Sequence, residues 1–270
     1  MASKSNNPVR VMMWSTPRSL STAIARSIVM LEEAQVFNEM YSAVFNFRKE
    51  SNQFPISSSF SYEWAKSELE KDYLGKHVIF GKDFAHAVRG NMDLLPSGFT
   101  HTFLIRNPKK VVTSLNRVIK KSYVLSLTGG SIGKHYDDMI LCKEMWDLYV
   151  YARDTLHQNP IVIDADDFLK DPEAMMKLYC DKTAIPFRKT MLKWQPTNIW
   201  RINWRSSYIL TMCAWWFGYY GNSLNSTGFQ KADKQTEDTD LSMIDEKSLK
   251  AINDNMEYYH SLYANRLVLK

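Results

Sequence analysis

Short apolar runs alternate with longer segments of helical periodicity along the first two thirds of the chain. These runs do not alternate between apolar and polar residues, which is typical of strands buried on both faces. Strands are therefore predicted at 9–14, 34–38, 77–82, 101–105 and 160–163. Helices are predicted at 20–31, 62–73, 109–119, 141–156 and 172–183. This order predicts an α/β fold, with a central parallel sheet of about five strands between two layers of helices.

The last third of the chain has a different pattern. Residues 194–221 contain five tryptophans and give little indication of helix. The polar residues 231–247 are expected to form a solvated loop, followed by a last helix at 246–267. The longest apolar run, 208–220, has 13 residues, whereas a membrane-spanning helix needs about 20. One domain over 1–270 and no membrane span are therefore expected.

Composition narrows the possible functions. Of the 270 residues, 45% are apolar and 23% are charged, as in soluble globular proteins. The formal net charge of +5 is too small to indicate a nucleic-acid-binding protein, although it suits an anionic small ligand. The three cysteines are far apart and form no CxxC pair, which predicts reduced thiols in a cytoplasmic protein.

The first candidate site lies where the first predicted strand ends. Residues 15–22, STPRSLST, predict a tight turn followed by the start of a helix. Backbone N–H groups at such a helix start bind anions, and Arg18 and the neighbouring hydroxyls add further donors. A nucleotide-kinase P-loop is excluded, because GxxxxGK[ST] is absent. The alternative is a helix that is merely capped by serine.

The second candidate site lies at the end of the fourth predicted strand. Arg106 follows that strand, and Ser114 comes eight residues later, about two turns into a helix that begins near Pro108. Ligands of open parallel sheets bind beyond the carboxyl ends of the strands. Arg106 and Ser114 are therefore placed to hold one phosphate, unless they are an ordinary surface arginine and helix-face serine.

Together, the two motifs resemble those of sulfotransferases, which use 3′-phosphoadenosine 5′-phosphosulfate (PAPS) and release 3′-phosphoadenosine 5′-phosphate (PAP). A third segment, 162–172, resembles the family's later strand and helix, so the resemblance covers about residues 9–190. It implies a P-loop-like three-layer fold, PAPS as co-substrate and no metal. It also implies that the 5′-phosphosulfate is held by Arg18, Ser19, Leu20, Ser21 and Thr22, and the 3′-phosphate by Arg106 and Ser114.

A narrower resemblance is to invertebrate sulfotransferase-like proteins that are often labelled branched-chain-amino-acid aminotransferase-like. No residue pattern in this chain indicates pyridoxal phosphate chemistry. The late family loop, which covers the 3′-phosphate and adenine, is matched by Ser226, Thr227, Gly228, Phe229 and Lys231.

The chain departs from the family pattern at two places. Leu20 stands where related loops carry a glycine, so the turn is expected to manage without a positive φ at that residue. Lys82 matches the family lysine, but Asp83 and Phe84 follow it, and no histidine matches the family's base. Arg18 and Lys82 are expected to neutralise charge on the transferring group.

Three residues are candidates for the base that takes the acceptor's proton. Glu39 is the first choice, because branches without the histidine use a glutamate at about this place after the second strand. Asp83 is the second choice and His86 the third. For Glu39 the alternative is a carboxylate that caps a helix or forms an ion pair.

The aromatic surplus bears on the acceptor. The chain has 8 Trp, 14 Tyr and 13 Phe, concentrated outside the predicted sheet in residues 45–64 and 194–220. Such segments roof the acceptor pocket in the family, and an aromatic lining would favour a small apolar or aromatic alcohol or amine. A core patch or a homodimer interface would explain the same residues. A small-molecule kinase and a non-catalytic PAP-binding protein are the competing hypotheses for function.

Overall fold

The computed structural model describes residues 7–51, 54, 56, 57, 59–121, 142–230 and 244–269. Within them, five strands form one parallel sheet in the order β2-β3-β1-β4-β5. The strands are β1 (Val9–Ser15), β2 (Ala34–Asn38), β3 (Val78–Phe84), β4 (Thr100–Ile105) and β5 (Ile161–Asp164). All five were predicted from the apolar runs, with ends that differ by three residues or fewer.

The helices lie on both faces of this sheet. They are α1 (Ser21–Val29), α2 (Met40–Phe47), α3 (Tyr62–Glu70), α4 (Pro108–Lys121), α5 (Cys142–Asp154), α6 (Ala165–Lys170), α7 (Pro172–Thr183), α8 (Tyr208–Phe217), α9 (Gly221–Asn225) and α10 (Glu246–Ala264). The predicted three-layer α/β fold with a parallel five-stranded sheet is confirmed. None of the described helices is both long enough and apolar enough to cross a bilayer.

Alternate residues of each strand face opposite layers, because successive side chains on a strand point to opposite faces. In β1, Val11 and Met13 pack against the layer that contains α1, α6 and α7. Met12 and Trp14 pack against the layer that contains α2, α3, α5 and α10. Both layers are filled with apolar side chains, so all seven positions of β1 are at least partly buried.

Helices α2, α6, α8 and α9 were not predicted from the periodicity. In α2, six of the eight residues are buried, so the segment has no polar face and its sequence shows no helical periodicity. The prediction of little helical order in 194–221 was wrong for α8, whose apolar residues also hide the period. Ser207 begins α8 by accepting a hydrogen bond from the Leu210 N–H, and Gly218 ends it with a φ of 70°. The predicted loop at 231–247 lies outside the described residues as far as residue 243.

Candidate active site

The carboxyl ends of the parallel strands bring the predicted site residues to one edge of the sheet. Lys82 pairs in register with Asn38 of β2, and Asp83 pairs with Trp14 of β1. On the other side of β1, Ser15 pairs with Leu104 of β4, just before Arg106. The ends of β1, β3 and β4 are therefore adjacent, as the two-motif interpretation requires.

The β1–α1 loop, residues 15–22, is held in an unusual backbone conformation. Arg18 and Leu20 have φ angles of 63° and 76°, in the left-handed region. The expectation that Leu20 would avoid a positive φ was wrong: the leucine takes the conformation that a glycine adopts at no steric cost. Such a conformation costs about 1–2 kcal/mol in an L-residue and is concentrated at functional sites.

This loop has the features of an anion site. Ser21 is the first residue of α1, and the Ala23 and Ile24 N–H groups donate to the Leu20 carbonyl. The N–H groups of Ser21 and Thr22 are therefore the donors that this helix start offers. The Thr16 hydroxyl is buried and has no hydrogen-bond partner. Ser19, also buried, donates its hydroxyl to the Thr16 carbonyl at 2.6 Å and so fixes the turn. An anion at this helix start would satisfy the remaining donors.

The two predicted phosphate motifs touch each other. Arg18 donates from Nε to the Ser114 hydroxyl at 3.2 Å and from Nη1 to the Tyr219 carbonyl at 2.8 Å. Arg106 donates from Nη1 to the Arg18 carbonyl at 2.8 Å. The structure thus brings Arg18, Arg106 and Ser114 into one cluster, which places two guanidinium groups beside the start of α1.

A carboxylate lies next to this cluster. Asp166, in the first turn of α6, is 3.6 Å from Arg106 Nε and 3.3 Å from Lys110 Nζ. The Nε group of Arg106 is buried and makes no hydrogen bond, because 3.6 Å is too long for one. Arg106 therefore keeps a donor for an anion, and Asp166 would compete with that anion for it.

Glu39 and Lys82 form an ion pair at the ends of β2 and β3. The Lys82 ammonium donates to Glu39 Oε1, and both side chains are almost completely buried. The Lys82 Nζ atom also lies 3.9 Å from the centre of the Phe84 ring. Glu39 is the third residue of this edge with a left-handed backbone, at a φ of 62°. The ion-pair role that was the alternative for Glu39 is thus present, beside the strand end where the base was expected.

Tyr220 is a member of the site that the sequence did not reveal. Its hydroxyl accepts a hydrogen bond from Asn38 Nδ2 at 3.1 Å and lies close to the Glu39 carboxylate. Burial, together with the charge of Glu39, holds the pKa of Tyr220 well above its usual range. The Glu39 carboxylate therefore lies between an ammonium and a neutral phenol. No pattern around Tyr220 marks it, because its partners are more than 180 residues away.

Asp83 has a different environment from Glu39. Its carboxylate accepts hydrogen bonds from the backbone N–H groups of Tyr41, at 2.6 Å, and of Ser42, at 3.1 Å. It also accepts from the Ser42 hydroxyl and from the Phe84 N–H. Burial raises the pKa of Asp83 to about 7. Asp83 caps α2 from the neighbouring strand, so its oxygens are occupied and its position fits a structural role better than that of a base.

His86 is enclosed by aromatic rings. It lies in the 3₁₀ helix Ala85–Val88, stacked on Phe84 at 5.7 Å between ring centres and edge-on to Phe45 at 5.4 Å. Burial, reinforced by the charges of Arg89 and Lys82, lowers the pKa of His86 to about 4. The imidazole is thus neutral at pH 7 and only weakly basic.

The late loop lies against α1 and α6. Ser226 accepts a hydrogen bond from Trp194 Nε1 at 3.0 Å, and the Thr227 carbonyl accepts from the Trp194 N–H at 3.2 Å. Phe229 packs against the rings of Phe168 and Trp194. Gly228 has a φ of 149°, and a Cβ there would be 2.5 Å from the Leu192 carbonyl oxygen, so only glycine fits. Lys231 lies outside the described residues.

The first aromatic segment contributes to the core. Phe47 and Tyr62 are buried, and Phe45, Phe60 and Trp64 pack against the same layer. Among these residues the structure supports the core-patch alternative. The second segment lies over the site edge instead: residues of 204–206 pair with the edge strand β2, and Arg205 N–H donates to the Val36 carbonyl at 2.8 Å.

Comparison with known proteins gives distant relatives. No family model matches the chain. It is 28% identical over 236 residues to "branched-chain-amino-acid aminotransferase-like protein 2" of Arabidopsis thaliana, covering 82% of this chain and 36% of that protein. It is also 28% identical over 267 residues to protein 1 of the same name and plant, covering 91% and 41%. The chain thus spans about two fifths of the length of these relatives. They carry the label expected for the group, but they come from a plant.

Two solved structures have a similar course of the chain. One is the sulfotransferase domain from the Synechococcus olefin synthase, with 12% identity, a TM-score of 0.49, and coverage of 94% of this chain and 97% of that one. The other is the sulfotransferase domain from the curacin biosynthetic pathway, with 12% identity, a TM-score of 0.46, and coverage of 94% and 99%. Identities of 12% and TM-scores below 0.5 do not assign a reaction to this chain.

Proposed function

We propose that the chain is a PAPS-dependent sulfotransferase that moves a sulfuryl group to a hydroxyl or amine of a small acceptor. The observation that carries the proposal is the cluster of Arg18, Arg106 and Ser114 beside the start of α1. Those residues come from two motifs about 90 positions apart, and the family resemblance assigns one motif to each phosphate of the same nucleotide.

The donors present at this cluster fit a nucleotide with two anionic groups. The start of α1 and the Thr16 hydroxyl offer unpaired donors for a 5′-phosphosulfate, and Arg106 Nε offers one for a 3′-phosphate. The Ser114 hydroxyl accepts from Arg18 and keeps its own proton, which it would donate to the 3′-phosphate. When bound, PAPS supplies the sulfuryl group, whose S–O bond to the 5′-phosphate breaks as a bond to the acceptor atom forms.

The residues at the ends of β2 and β3 are assigned to the acceptor. Glu39 is the base that takes the acceptor's proton, because its carboxylate is bound by side chains rather than by a helix start, unlike that of Asp83. Lys82 is ion-paired with Glu39 and places a positive charge beside the transferring group. Positioning and charge stabilisation dominate such transfers, as they do in phosphoryl transfer. The proposed acceptor is apolar or aromatic, given the aromatic residues around Tyr220.

Ligand-induced thermal shift is the first test. The full chain is heated alone and with PAP, ATP together with magnesium, or pyridoxal 5′-phosphate. The last compound is included because of the name that the plant relatives carry. A compound that binds only the folded state raises the melting temperature. We expect a clear rise with PAP and little change with the other two.

The outcomes separate the competing functions. A rise with ATP and magnesium but not with PAP would indicate a kinase and contradict the proposal. A rise with PAP, without transfer of sulfur-35 from labelled PAPS to any member of a panel of phenols, sterols, alcohols and amines, would favour a non-catalytic PAP-binding protein. Transfer only to a polysaccharide or to protein tyrosine would contradict the proposed acceptor class.

A further inference from the structure

Helix α8 carries an aromatic surface that the proposed reaction does not explain. Tyr208, Trp215 and Trp216 are 70%, 54% and 60% exposed, and Met212 is 41% exposed. At 100° per residue these four side chains lie within an arc of about 100° on the helix. Thr211 and Ala214, on another side, are buried. We call the four exposed residues the α8 patch.

The α8 patch continues beyond the helix. Trp200 is 44% exposed, and its ring centre lies 5.2 Å from that of Tyr208. Trp200 belongs to the 3₁₀ helix Ile199–Arg201, so the exposed Arg201 is its next neighbour in sequence. Contiguous exposed aromatic residues of this size mark an interaction surface.

The charges around the α8 patch identify the kind of partner. Residues 182–230 contain no Asp or Glu, although the chain has 29 such residues. The same segment contains six exposed basic residues: Lys182, Arg188, Lys189, Lys193, Arg201 and Arg205. Three of them are paired with carboxylates, Lys182 with Asp181, Arg188 with Glu33 and Arg205 with Glu68. Arg201, next to Trp200, is the arginine that adjoins the exposed aromatic side chains. A second copy of the patch would bring arginines together, and like charges oppose association. An anionic surface is complementary to it.

Trp and Tyr flanked by Arg are the side chains that favour the boundary between lipid headgroups and acyl chains. We infer that the α8 patch seats the protein on an anionic lipid bilayer, with the aromatic side chains in the headgroup region and Arg201 against the acidic lipids. This is a surface contact, which involves no membrane-spanning helix. It rests on exposure and charge alone and holds whatever reaction the site catalyses.

The α8 patch lies close in sequence to residues of the candidate site. Directly after the helix, the Tyr219 carbonyl accepts a hydrogen bond from Arg18 and the Tyr220 hydroxyl accepts one from Asn38 at the end of β2. The patch and the site edge are therefore two ends of one short segment. An apolar molecule dissolved in the bilayer would reach the protein beside its candidate site.

Vesicle co-sedimentation of the full chain tests the inference. The lipids are phosphatidylcholine alone and phosphatidylcholine with about one third phosphatidylserine, at low and high salt. We expect binding to the phosphatidylserine vesicles, with weaker binding to phosphatidylcholine and at high salt. The double variant Trp215→Ala/Trp216→Ala should bind the anionic vesicles at least about tenfold more weakly.

Two further variants complete the test. Arg201→Glu should weaken binding about fivefold or more on anionic vesicles only. Leu74→Ala is the matched control, because Leu74 is fully exposed in the α3–β3 turn and its substitution should change nothing. Wild-type protein that sediments with neither vesicle, or a double variant that binds as tightly as wild type while keeping its melting temperature, would overturn the inference. So would a dimer, seen by light scattering, that the double variant abolishes while vesicle binding stays the same.

Discussion

On the β1–β4 side of the candidate site polar donors remain without partners, whereas on the β2–β3 side the charged groups are already paired. Thr16 and Arg106 each keep a buried donor atom with no hydrogen bond. Lys82 and Glu39 bind each other, and Asp83 is bound by the start of α2. An unsatisfied buried donor costs about 1–3 kcal/mol, and the anion of the proposed function would offset that cost on the first side. The second side is a preformed charge network that a ligand would approach without entering.

This difference predicts a division of labour. Substitutions on the β1–β4 side should change nucleotide affinity. Substitutions on the β2–β3 side should change turnover or stability and leave the affinity for PAP nearly intact, because PAP lacks the sulfuryl group.

The largest effect is expected for Glu39→Gln. The substitution keeps the size and hydrogen bonding of the side chain but removes the base, so turnover with PAPS should fall by about 10²–10⁴-fold. The dissociation constant of PAP, measured by calorimetry, should change by less than about threefold. Glu144→Gln is the matched control, because Glu144 is also a buried carboxylate, on α5, and should keep its turnover. Equal losses in turnover and in PAP affinity for Glu39→Gln would contradict the division of labour.

Lys82→Met should act mainly on stability. The side chain is fully buried, so its loss leaves the Glu39 charge without its cation, which costs about 3–5 kcal/mol of unfolding free energy. Adding Glu39→Gln removes the stranded charge, and the double variant should recover most of that loss in urea denaturation. A double variant as unstable as the sum of the two single variants would mean that the pair is not coupled.

The pH dependence of stability tests the environment of Asp83. Because burial raises its pKa to about 7 in the folded state, the folded protein holds a proton between about pH 4 and pH 7 that the unfolded chain has released. The contribution of Asp83 to the free energy of unfolding should therefore be largest below about pH 4. It should fall by roughly 2–4 kcal/mol as the pH rises to 7. The decline is measured as the difference between wild type and Asp83→Asn. A difference that does not vary with pH would show that the carboxylate stays ionised on the helix start.

Arg106→Ala should raise the dissociation constant of PAP by roughly 10- to 150-fold, because it removes charge-assisted hydrogen bonds worth about 1.5–3 kcal/mol. Ser114→Ala should have a smaller effect. Lys109→Ala is the matched control, since Lys109 is exposed on the same helix and removes one positive charge without touching the cluster. If Arg106→Ala and Lys109→Ala weaken the binding of PAP equally, the loss comes from the change in net charge alone.

The smallest expected effect is a gain in the affinity for PAP rather than a loss. Asp166 lies beside Arg106 and Lys110, where a 3′-phosphate would need the same donors. Asp166→Asn should tighten PAP binding about twofold to fivefold, as expected for a partly exposed ion pair. Weaker binding of PAP by this variant would mean that Asp166 orients Arg106 for the phosphate.

The sheet was predictable because its strands are short apolar runs. The position of Arg106 beyond the end of β4 and of Ser114 on the following helix was predictable for the same reason, whereas their role in binding a phosphate stays a prediction. Helix α2 was not, since a helix buried on most sides has no polar face to give a period. The left-handed backbone conformation of Leu20 was not predicted, because tertiary contacts impose it against the residue's own preference. The role of Tyr220 depends on a contact with Asn38 across 182 positions, which no local pattern encodes.

The most direct test of the central claim is a crystal structure of the full chain with PAP. We expect the 5′-phosphate on the N–H groups at the start of α1 and the 3′-phosphate on Arg106 and Ser114, with the Glu39–Lys82 pair in place. PAP bound elsewhere on the molecule, or held by Glu39 and Lys82 with the β1–β4 side unused, would contradict that claim.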